Sequence, residues 1–332
     1  MFVFGTALFL FCSIAPLAAS ANDPPRFVRK WGQTGTAAGQ FEGPSEIAVG
    51  PDGNIYVGDS GHGMQMFSPD GSYVRGWNAG GNAIAFDAEG LLYIAAGDKV
   101  EIYENVGVTL PMRLKARWDR PGSGDGQFRN AQGIALDALG NVYVSDWFLH
   151  RVQKFDSSGN FIQAWGGSGT GDGELFRPVG MAVDAGFLYV VESDGNRVSK
   201  FDLDGTFVTN WGTLGIGPGE FERPDGVTTD AEGRVYVAEG HRIQVFQPDG
   251  TYITEFGSLC FMESGQFCID PDGDGPLELG DGQFDSALDV DVDADGAIYV
   301  ADRDNDRVQV FRWTPTGIAP ARWESVKSRY RD

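Results

Sequence analysis

The chain has 332 residues, with 47 acidic and 25 basic side chains and a net charge of −22 at pH 7. This acidic balance repels phosphate backbones and anionic lipid, so it argues against nucleic acid and membrane surfaces as partners and favours positive metal ions. The 48 glycines are scattered through aromatic-rich sequence, which predicts many tight turns rather than a disordered tract.

The first 21 residues form a candidate signal peptide. Residues 2–19 are largely apolar, and Ala19-Ser20-Ala21 supplies a small-x-small cleavage pattern. Because no lysine or arginine precedes the apolar run, an uncleaved membrane anchor is the alternative. No later segment approaches the roughly 20 apolar residues of a transmembrane helix. The sequence therefore predicts a secreted or periplasmic protein whose mature part, residues 22–332, is a single domain.

A unit of about 45 residues recurs along the chain, which indicates a stacked array. Each copy holds four short runs rich in Val, Ile, Tyr and Phe, and Asp-Gly or Glu-Gly turns separate many of them. The second copy is short and lacks a glycine-rich loop, and the last carries a Cys- and Asp-rich insertion at 257–287. The copies begin near residues 27, 73, 114, 161, 207 and 252. This pattern predicts an all-β protein, a six-bladed β-propeller of four-stranded antiparallel blades.

The glycine-rich segment GGSGTGDGELF (166–176) is predicted to connect two blades. It resembles a phosphate-binding loop, but it precedes a strand, contains no lysine and recurs as GSGDGQF (122–128) and GIGPGEF (215–221). A nucleotide site is needed once, whereas a connection between blades is needed in every copy.

The unit strongly resembles the NHL repeat over nearly all of residues 27–312. The resemblance rests on an outer strand ending in Trp-Gly, a Gly-x-Gly loop, a Pro-x-Gly start of the inner strand and an Asn-x-Arg-Val start of the third strand. NHL proteins are six-bladed propellers. Many of them are binding or scaffold modules, and a few relatives are metal-dependent enzymes.

Charged residues of the repeat are predicted to fasten each blade. An acidic residue ends the second strand in five copies, and an arginine begins the third strand in four of them, so the two can pair across one hairpin. The acidic residues are Asp59, Asp146, Glu192, Glu239 and Asp302, and the arginines are Arg151, Arg197, Arg242 and Arg307. We expect FVRKW (27–31), rather than the tail at 321–323, to complete the last blade.

The segment DPDGDGPLELGD (270–281) matches a calcium-binding loop, in which alternate oxygens surround a hard cation. An acidic cluster of turns is the alternative, since position 12 is Asp rather than Glu and no helices flank the loop. The predicted Ca²⁺ ligands are Asp270, Asp272, Asp274, Glu278 and Asp281. Just upstream, Cys260 and Cys268 are spaced to allow a disulfide, which an oxidising compartment would favour.

Polar residues at the start of the inner strands are candidates for the central channel. Propeller lactonases and arylesterases, which resemble this chain, hold calcium there with inward carboxylates and amides; a polar lining around water is the alternative. The candidates are Glu46, Asn82, Gln132, Asp225 and Asp289. Trp147 and Phe148 lie in a turn where neighbouring copies have small or polar residues, so they either anchor a ligand or pack on the adjoining blade.

The histidines argue against one enzymatic reading. A propeller lyase that resembles this chain binds zinc through histidines at the start of inner strands, whereas His62, His150 and His241 lie in turns of separate blades. We therefore expect a monomeric binding or scaffold module for a protein, peptide or glycan, with a calcium-stabilised loop. The alternative is a calcium-dependent hydrolase or lactonase that uses the channel carboxylates.

Overall fold

The computed structural model describes residues 23–105, 111–260 and 280–314. Within these residues, a compact unit from Pro24 to Trp313 contains 24 strands in six four-stranded antiparallel sheets. The predicted six-bladed all-β propeller is therefore confirmed. Helical structure in the described ranges is a single 3₁₀ turn, Arg303–Asn305, and no helix there is long and apolar enough to cross a membrane.

The strands follow the repeat in chain order. The first strand and blades 1 to 3 comprise β1 (Arg26–Trp31); β2 (Pro44–Val49), β3 (Ile55–Asp59), β4 (Gly63–Phe67), β5 (Tyr73–Trp77); β6 (Ala83–Phe86), β7 (Leu92–Ala96), β8 (Lys99–Glu104), β9 (Arg113–Asp119); β10 (Ala131–Leu136), β11 (Val142–Asp146), β12 (Arg151–Phe155), β13 (Phe161–Gly166). Blades 4 to 6 comprise β14 (Pro178–Asp184), β15 (Phe187–Glu192), β16 (Arg197–Asp202), β17 (Phe207–Trp211); β18 (Val227–Thr229), β19 (Val235–Glu239), β20 (Arg242–Phe246), β21 (Tyr252–Phe256); β22 (Ala287–Val292), β23 (Ala297–Asp302), β24 (Arg307–Arg312).

The first strand closes the ring. β1 pairs antiparallel with β24 in the sheet order β1-β24-β23-β22, with Phe27 opposite Phe311 and Trp31 opposite Val308. The preference for FVRKW as the closing strand is thus confirmed. Closure joins the first strand of the unit to the last blade. Blade 6 therefore has a fourth, outer strand like the other blades.

The inner strands crowd around the axis, and the repeat glycine makes this possible. The N–H of Gly180 in β14 donates to the carbonyl of Asp225 in the next blade, at 3.1 Å. A Cβ on Gly180 would lie 2.3 Å from that same oxygen. The glycine of the Pro-x-Gly pattern is therefore needed for close approach between neighbouring backbones.

Aromatic residues seal neighbouring blades. The aromatic that ends an outer strand packs on the phenylalanine that ends the third strand of the following blade, as in Trp165–Phe201, whose ring centroids lie 6.1 Å apart. The same contact recurs at Trp31–Phe67, Trp118–Phe155, Trp211–Phe246 and Phe256–Phe311. These tilted pairs bury large apolar surfaces, so they supply much of the attraction between sheets.

Each glycine loop is held by a charged anchor inside its own blade. In blade 6 Arg307 donates through Nε to Asp302, at 2.7 Å, and through Nη2 to the carbonyls of both Gly280 and Gln283. The carboxylate of Asp302 also accepts the N–H of Asp285, where the loop ends. The predicted hairpin pair therefore forms in blade 6 and, in addition, fixes the connection between blades.

The same anchor recurs with variations. Blades 4 and 5 repeat it through Arg197–Glu192 and Arg242–Glu239, both at 2.7 Å. In blade 3 Arg151 donates to the loop carbonyls, while Asp146 accepts backbone N–H groups. In blade 2 Lys99 bonds to Glu101, at 2.9 Å.

We expect Arg307→Ala to lower the free energy of unfolding by about 3–5 kcal/mol, since it leaves Asp302 buried without its cation. Burial already raises the pKa of Asp302 to about 6 with the arginine in place. Urea denaturation measures the loss. Arg26→Ala, at an exposed position of β1, is the control and should change stability by less than about 0.5 kcal/mol. Equal losses of unfolding free energy in the two variants would contradict the stabilising role of the Arg307–Asp302 pair.

Candidate functional site

One face of the propeller carries the glycine loops and the turns between second and third strands, and we call it the loop face. Twelve residues (32–43) connect β1 to β2, whereas five residues (78–82) connect β5 to β6. Blade 2 therefore lacks the loop that covers this face elsewhere, as the short second repeat indicated. The missing loop leaves a gap between blades 1, 2 and 3.

A pocket of about 770 Å³ occupies this gap and is lined mainly by polar groups. We call it the blade 2 pocket. Its polar side chains include Ser45, Glu46, Ser60, His62, Asn78 and Asn82. Small residues complete the wall, since the connection reads Asn-Ala-Gly-Gly-Asn. The result is a concave surface rich in hydrogen-bonding groups, which suits a polar ligand.

Glu46 is a buried acid of the blade 2 pocket, with 5% of its surface exposed. It stands where other inner strands have the repeat glycine, Gly133 or Gly180. Room for it comes from Gly58 on β3, where a Cβ would lie 1.7 Å from Oε2 of Glu46. The hydroxyl of Ser45 donates to Oε1, at 2.8 Å.

Burial, together with the nearby charges of Asp225 and Asp59, raises the pKa of Glu46 to about 7. The hydrogen bond from Ser45 and the positive charge of Arg303 act in the opposite direction. Near neutral pH this carboxyl group therefore exchanges its proton readily. A group with such a pKa can accept or donate a proton to a bound ligand.

Two carboxylates of β22 tie the inner strands together. Asp289 accepts the N–H of Ile47 in blade 1, at 2.9 Å. Asp291 accepts the N–H of Val49, at 2.8 Å, and the hydroxyl of Thr228 in blade 5, at 2.8 Å. Both line the channel and are enclosed by protein, so burial raises the pKa of each. These two groups thus have structural partners on both neighbouring blades.

The five predicted channel residues fall into two groups. The charge of Asp225 acts on Glu46 and the charge of Glu46 acts on Asp289, while burial raises the pKa of Asp225 to about 6. Asn82 instead donates to the carbonyl of Ala131, at 2.9 Å, and Gln132 accepts from Asn130, at 3.3 Å. Across the described ranges, no group of three or more Asp, Glu, His or Cys residues is placed to hold a metal ion.

The calcium loop and the cysteine pair fall largely outside the described residues. Asp270, Asp272, Asp274, Glu278 and Cys268 all lie outside them. Asp281 is buried, and its Oδ1 accepts from Nζ of Lys30, at 2.7 Å. Cys260 is buried as well. The calcium site and the disulfide therefore stay predictions.

Trp147 and Phe148 take different positions in their turn. Trp147 is partly buried against the core between blades 4 and 5, and the guanidinium of Arg177 lies 4.3 Å from its ring centroid. Phe148 is 52% exposed, with Arg129 lying 5.6 Å above its ring. Trp147 thus packs on the adjoining blade, while Phe148 stays open to a ligand.

Family models match two parts of the chain. The model described as "SMP-30/Gluconolactonase/LRE-like region" matches residues 178–258, and the model described as "NHL repeat" matches residues 284–311. The RING finger protein nhl-1 of Caenorhabditis elegans is 37% identical over 82 residues, which are 25% of this chain and 8% of that protein. Protein brain tumor of Drosophila melanogaster is 36% identical over 70 residues, 20% of this chain and 7% of that protein. The chain therefore spans less than a tenth of the length of these relatives.

Solved structures share the fold at low identity. A gluconolactonase from Xanthomonas campestris has a TM-score of 0.59 and 15% identity, covering 90% of this chain and 99% of that one. Virginiamycin B lyase from Staphylococcus aureus has a TM-score of 0.56 and 13% identity, covering 86% and 99%. An auxiliary nutrient binding protein from Bacteroides thetaiotaomicron has a TM-score of 0.60 and 14% identity, covering 82% and 69%. The class of protein defined here is thus a six-bladed propeller, in which one region matches a gluconolactonase-type model and another matches the NHL repeat.

Sequence reasoning selected Glu46 and Asn82 but did not join them in one pocket. His62, Ser60 and Asn78 were absent from the predicted site, although all three line the blade 2 pocket. The signal that could have found them is the missing glycine loop of the second repeat, because a missing cover exposes whatever lies beneath it. A second signal is the loss of the repeat glycine at Glu46.

The raised pKa of Glu46 predicts a pH-dependent stability. Between about 4.5, its ordinary value, and about 7 the folded state binds more protons, so the free energy of unfolding decreases as pH rises through this window. Glu46→Gln cannot ionise. We expect the free energy of unfolding of this variant to exceed that of the wild type by roughly 3 kcal/mol near pH 8 and to equal it near pH 4.

Urea denaturation at both pH values measures this difference. Glu42→Gln, an exposed change nearby on the loop face, is the control and should stay close to the wild type throughout. A difference between Glu46→Gln and the wild type that is the same at both pH values would contradict a buried carboxyl group that titrates near neutrality.

Proposed function

We propose that the protein is a ligand-binding propeller and that the blade 2 pocket is its binding site. The observation that carries this proposal is the gap in the loop face, where the missing glycine loop uncovers about 770 Å³ lined by hydrogen-bonding groups. A rigid ring holds the pocket walls in place, so binding requires little ordering of the protein. The auxiliary nutrient binding protein from Bacteroides thetaiotaomicron shares the fold, which makes a binding role compatible with this architecture.

The ligand that suits the pocket best is a neutral glycan. Asn78 offers an amide donor and acceptor, and Asn82, whose amide nitrogen bonds to protein groups, offers its amide oxygen. Ser60 and His62 add further polar groups, each of which also bonds to a backbone carbonyl. Asp59 is committed to the backbone N–H groups of the loop and turn, so it adds little free acceptor capacity. The net charge of −22 repels anionic ligands. Hydroxyl-rich sugars match this set of donors and acceptors, and a neutral peptide segment is the other outcome to test.

An enzymatic role is the second candidate, and one observation favours it. Glu46 lies in the pocket with its pKa raised to about 7, which suits a general acid or base. The match to the gluconolactonase-type model and the fold shared with a gluconolactonase and a lyase are compatible with such a role. In this reading the ligand is a lactone or ester, and Glu46 exchanges a proton with it.

Filling the pocket tests the binding role. A Cβ on Gly80 would meet only one described atom within 4.0 Å, the Cα of Gly63, so Gly80→Tyr should enter the pocket without displacing backbone. We expect the wild type to bind neutral oligosaccharides on a glycan array and by calorimetry. Gly80→Tyr should abolish this binding, and Asn82→Ala should weaken it by about 3- to 10-fold.

The matched control is Ala138→Tyr, which adds the same side chain to an exposed turn between β10 and β11. Full binding by Gly80→Tyr would overturn the assignment of the pocket. Capture of neutral peptides instead of glycans would change the ligand class while keeping the site. Turnover of a lactone that Glu46→Gln loses would favour the enzymatic role.

We further propose that the protein acts as a secreted or periplasmic monomer. The apolar residues 1–21 and their cleavage pattern support export, and an oxidising compartment would allow the Cys260–Cys268 disulfide. In this proposal residues 270–281 bind Ca²⁺. The acidic residues at alternate positions support the calcium proposal, because a cation relieves their mutual repulsion.

Calcium should therefore raise the melting temperature of the mature protein. Asp272→Ala and Asp274→Ala should each remove most of this shift, since each deletes one oxygen ligand, whereas Mg²⁺ should produce less of it. Asp125→Ala removes an exposed carboxylate from another glycine loop and is the control. An unchanged melting temperature in the wild type would exclude a calcium site that stabilises the fold.

A further inference from the structure

An arginine-rich surface crosses the loop face on blades 3, 4 and 5, in a protein whose net charge is −22. It consists of Arg129, Arg177 and Arg223 together with Trp147 and Phe148, and we call it the arginine arc. Its arginines begin or precede inner strands, and its aromatic residues occupy the turn after β11. None of these five residues lines the blade 2 pocket. The two surfaces therefore give the loop face two chemically different parts.

The arc is ordered by contacts among its own residues. Trp147 and Phe148 pack edge to face, with ring centroids 4.8 Å apart, and Arg177 stacks over Trp147. Arg177 also bonds to the carboxylate of Asp194, which lies 3.7 Å from Nε of Arg223. One carboxylate thus stands between two arginines, and the stack holds Arg177 in position. Such ordering lowers the entropy lost when a ligand binds.

Two of the arginines present their charge to solvent. Arg223 is 76% exposed, and Arg129 is exposed above Phe148. Both could form the two parallel hydrogen bonds that a guanidinium makes with a carboxylate. Phe148, half exposed between blades, supplies an apolar surface beside Arg129.

The backbone at two of the arginines points to a role for their side chains. Arg177 has a φ of 56° and Arg223 a φ of 57°, both in the left-handed region that favours glycine. The equivalent position in blade 1 is Gly43, with a φ of 81°. An arginine in this conformation is less stable than glycine, because its Cβ comes too close to the neighbouring carbonyl oxygen. The fold alone would therefore prefer glycine at both positions.

We propose that the arginine arc binds an acidic peptide segment of a partner protein. Carboxylates of that segment pair with Arg129 and Arg223, and a neighbouring apolar side chain packs on Phe148. Nucleic acid fits less well, because a long polyanion meets the repulsion of the whole protein, whereas a short segment carries few charges and contacts the arc alone. A polyuronate also fits less well, because it has no apolar side chain to pack on Phe148.

The test uses the mature protein on an array of short synthetic peptides of randomised sequence. We expect the bound peptides to be enriched in Asp and Glu next to an apolar residue. Binding to the best peptide, followed by fluorescence anisotropy, should weaken by about tenfold or more in Arg129→Gln and in Arg223→Gln. It should also weaken as salt concentration rises, because the paired charges are exposed.

Two control variants separate this proposal from others. Arg26→Gln, the same charge change at an exposed position of β1, should bind the peptide like the wild type. Gly80→Tyr should also bind it normally, so loss of the blade 2 pocket and loss of the arc are distinguishable. Phe148→Ala should weaken peptide binding without changing net charge.

Three results would overturn the proposal. The first is an array without enrichment of acidic peptides. The second is tighter binding of a single-stranded DNA oligonucleotide or of polygalacturonate than of the best peptide. The third is unchanged peptide affinity in an Arg129→Gln/Arg223→Gln double variant.

Discussion

Ring closure is the constraint on which the structure depends. The pairing of β1 with β24 joins the first strand of the unit to the last blade, and six sheets must then share one axis. The inner strands of blades 4 and 5 consequently run so close to the next blade that a Cβ at Gly180 or Gly226 would contact its backbone. At the wider rim, the aromatic pairs between sheets and the anchored glycine loops fill the space that opens away from the axis.

The same crowding produces the unusual electrostatics of the channel. Where the repeat glycine is replaced by Glu46 or Asp289, a carboxyl group is forced into an enclosed space, and burial raises its pKa. Asp289 is compensated by backbone N–H groups from two strands. Glu46 accepts a hydrogen bond from the hydroxyl of Ser45, and the missing side chain of Gly58 leaves room for its carboxyl group. Asp289 thus stabilises the ring, whereas Glu46 lines the blade 2 pocket and changes its protonation state near neutral pH.

The chemistry of the loop face depends on the loops and side chains that depart from the repeat. Where the glycine loop is missing, in blade 2, polar groups beneath it become accessible. Where arginines take the place of small residues, as at Arg177 and Arg223, the same face acquires positive charge in an acidic protein. The common framework is shared with proteins of several activities at 13–15% identity, so it specifies a scaffold rather than a reaction.

The sequence by itself determined the number of blades, the four-stranded pattern and the closing strand, because each of these follows from the repeat and its local periodicity. It also indicated the Asp-Gly turns, but not that Gly205 must pass within contact of Trp165 of the preceding blade. Only the tertiary structure decided that Glu46, His62 and Asn78 share one pocket, and that Arg177 stacks on Trp147. Each of these contacts joins residues of neighbouring repeats, Asn78 to the first repeat and Arg177 to Trp147, and the distances depend on how the blades pack around the axis, which no local pattern encodes.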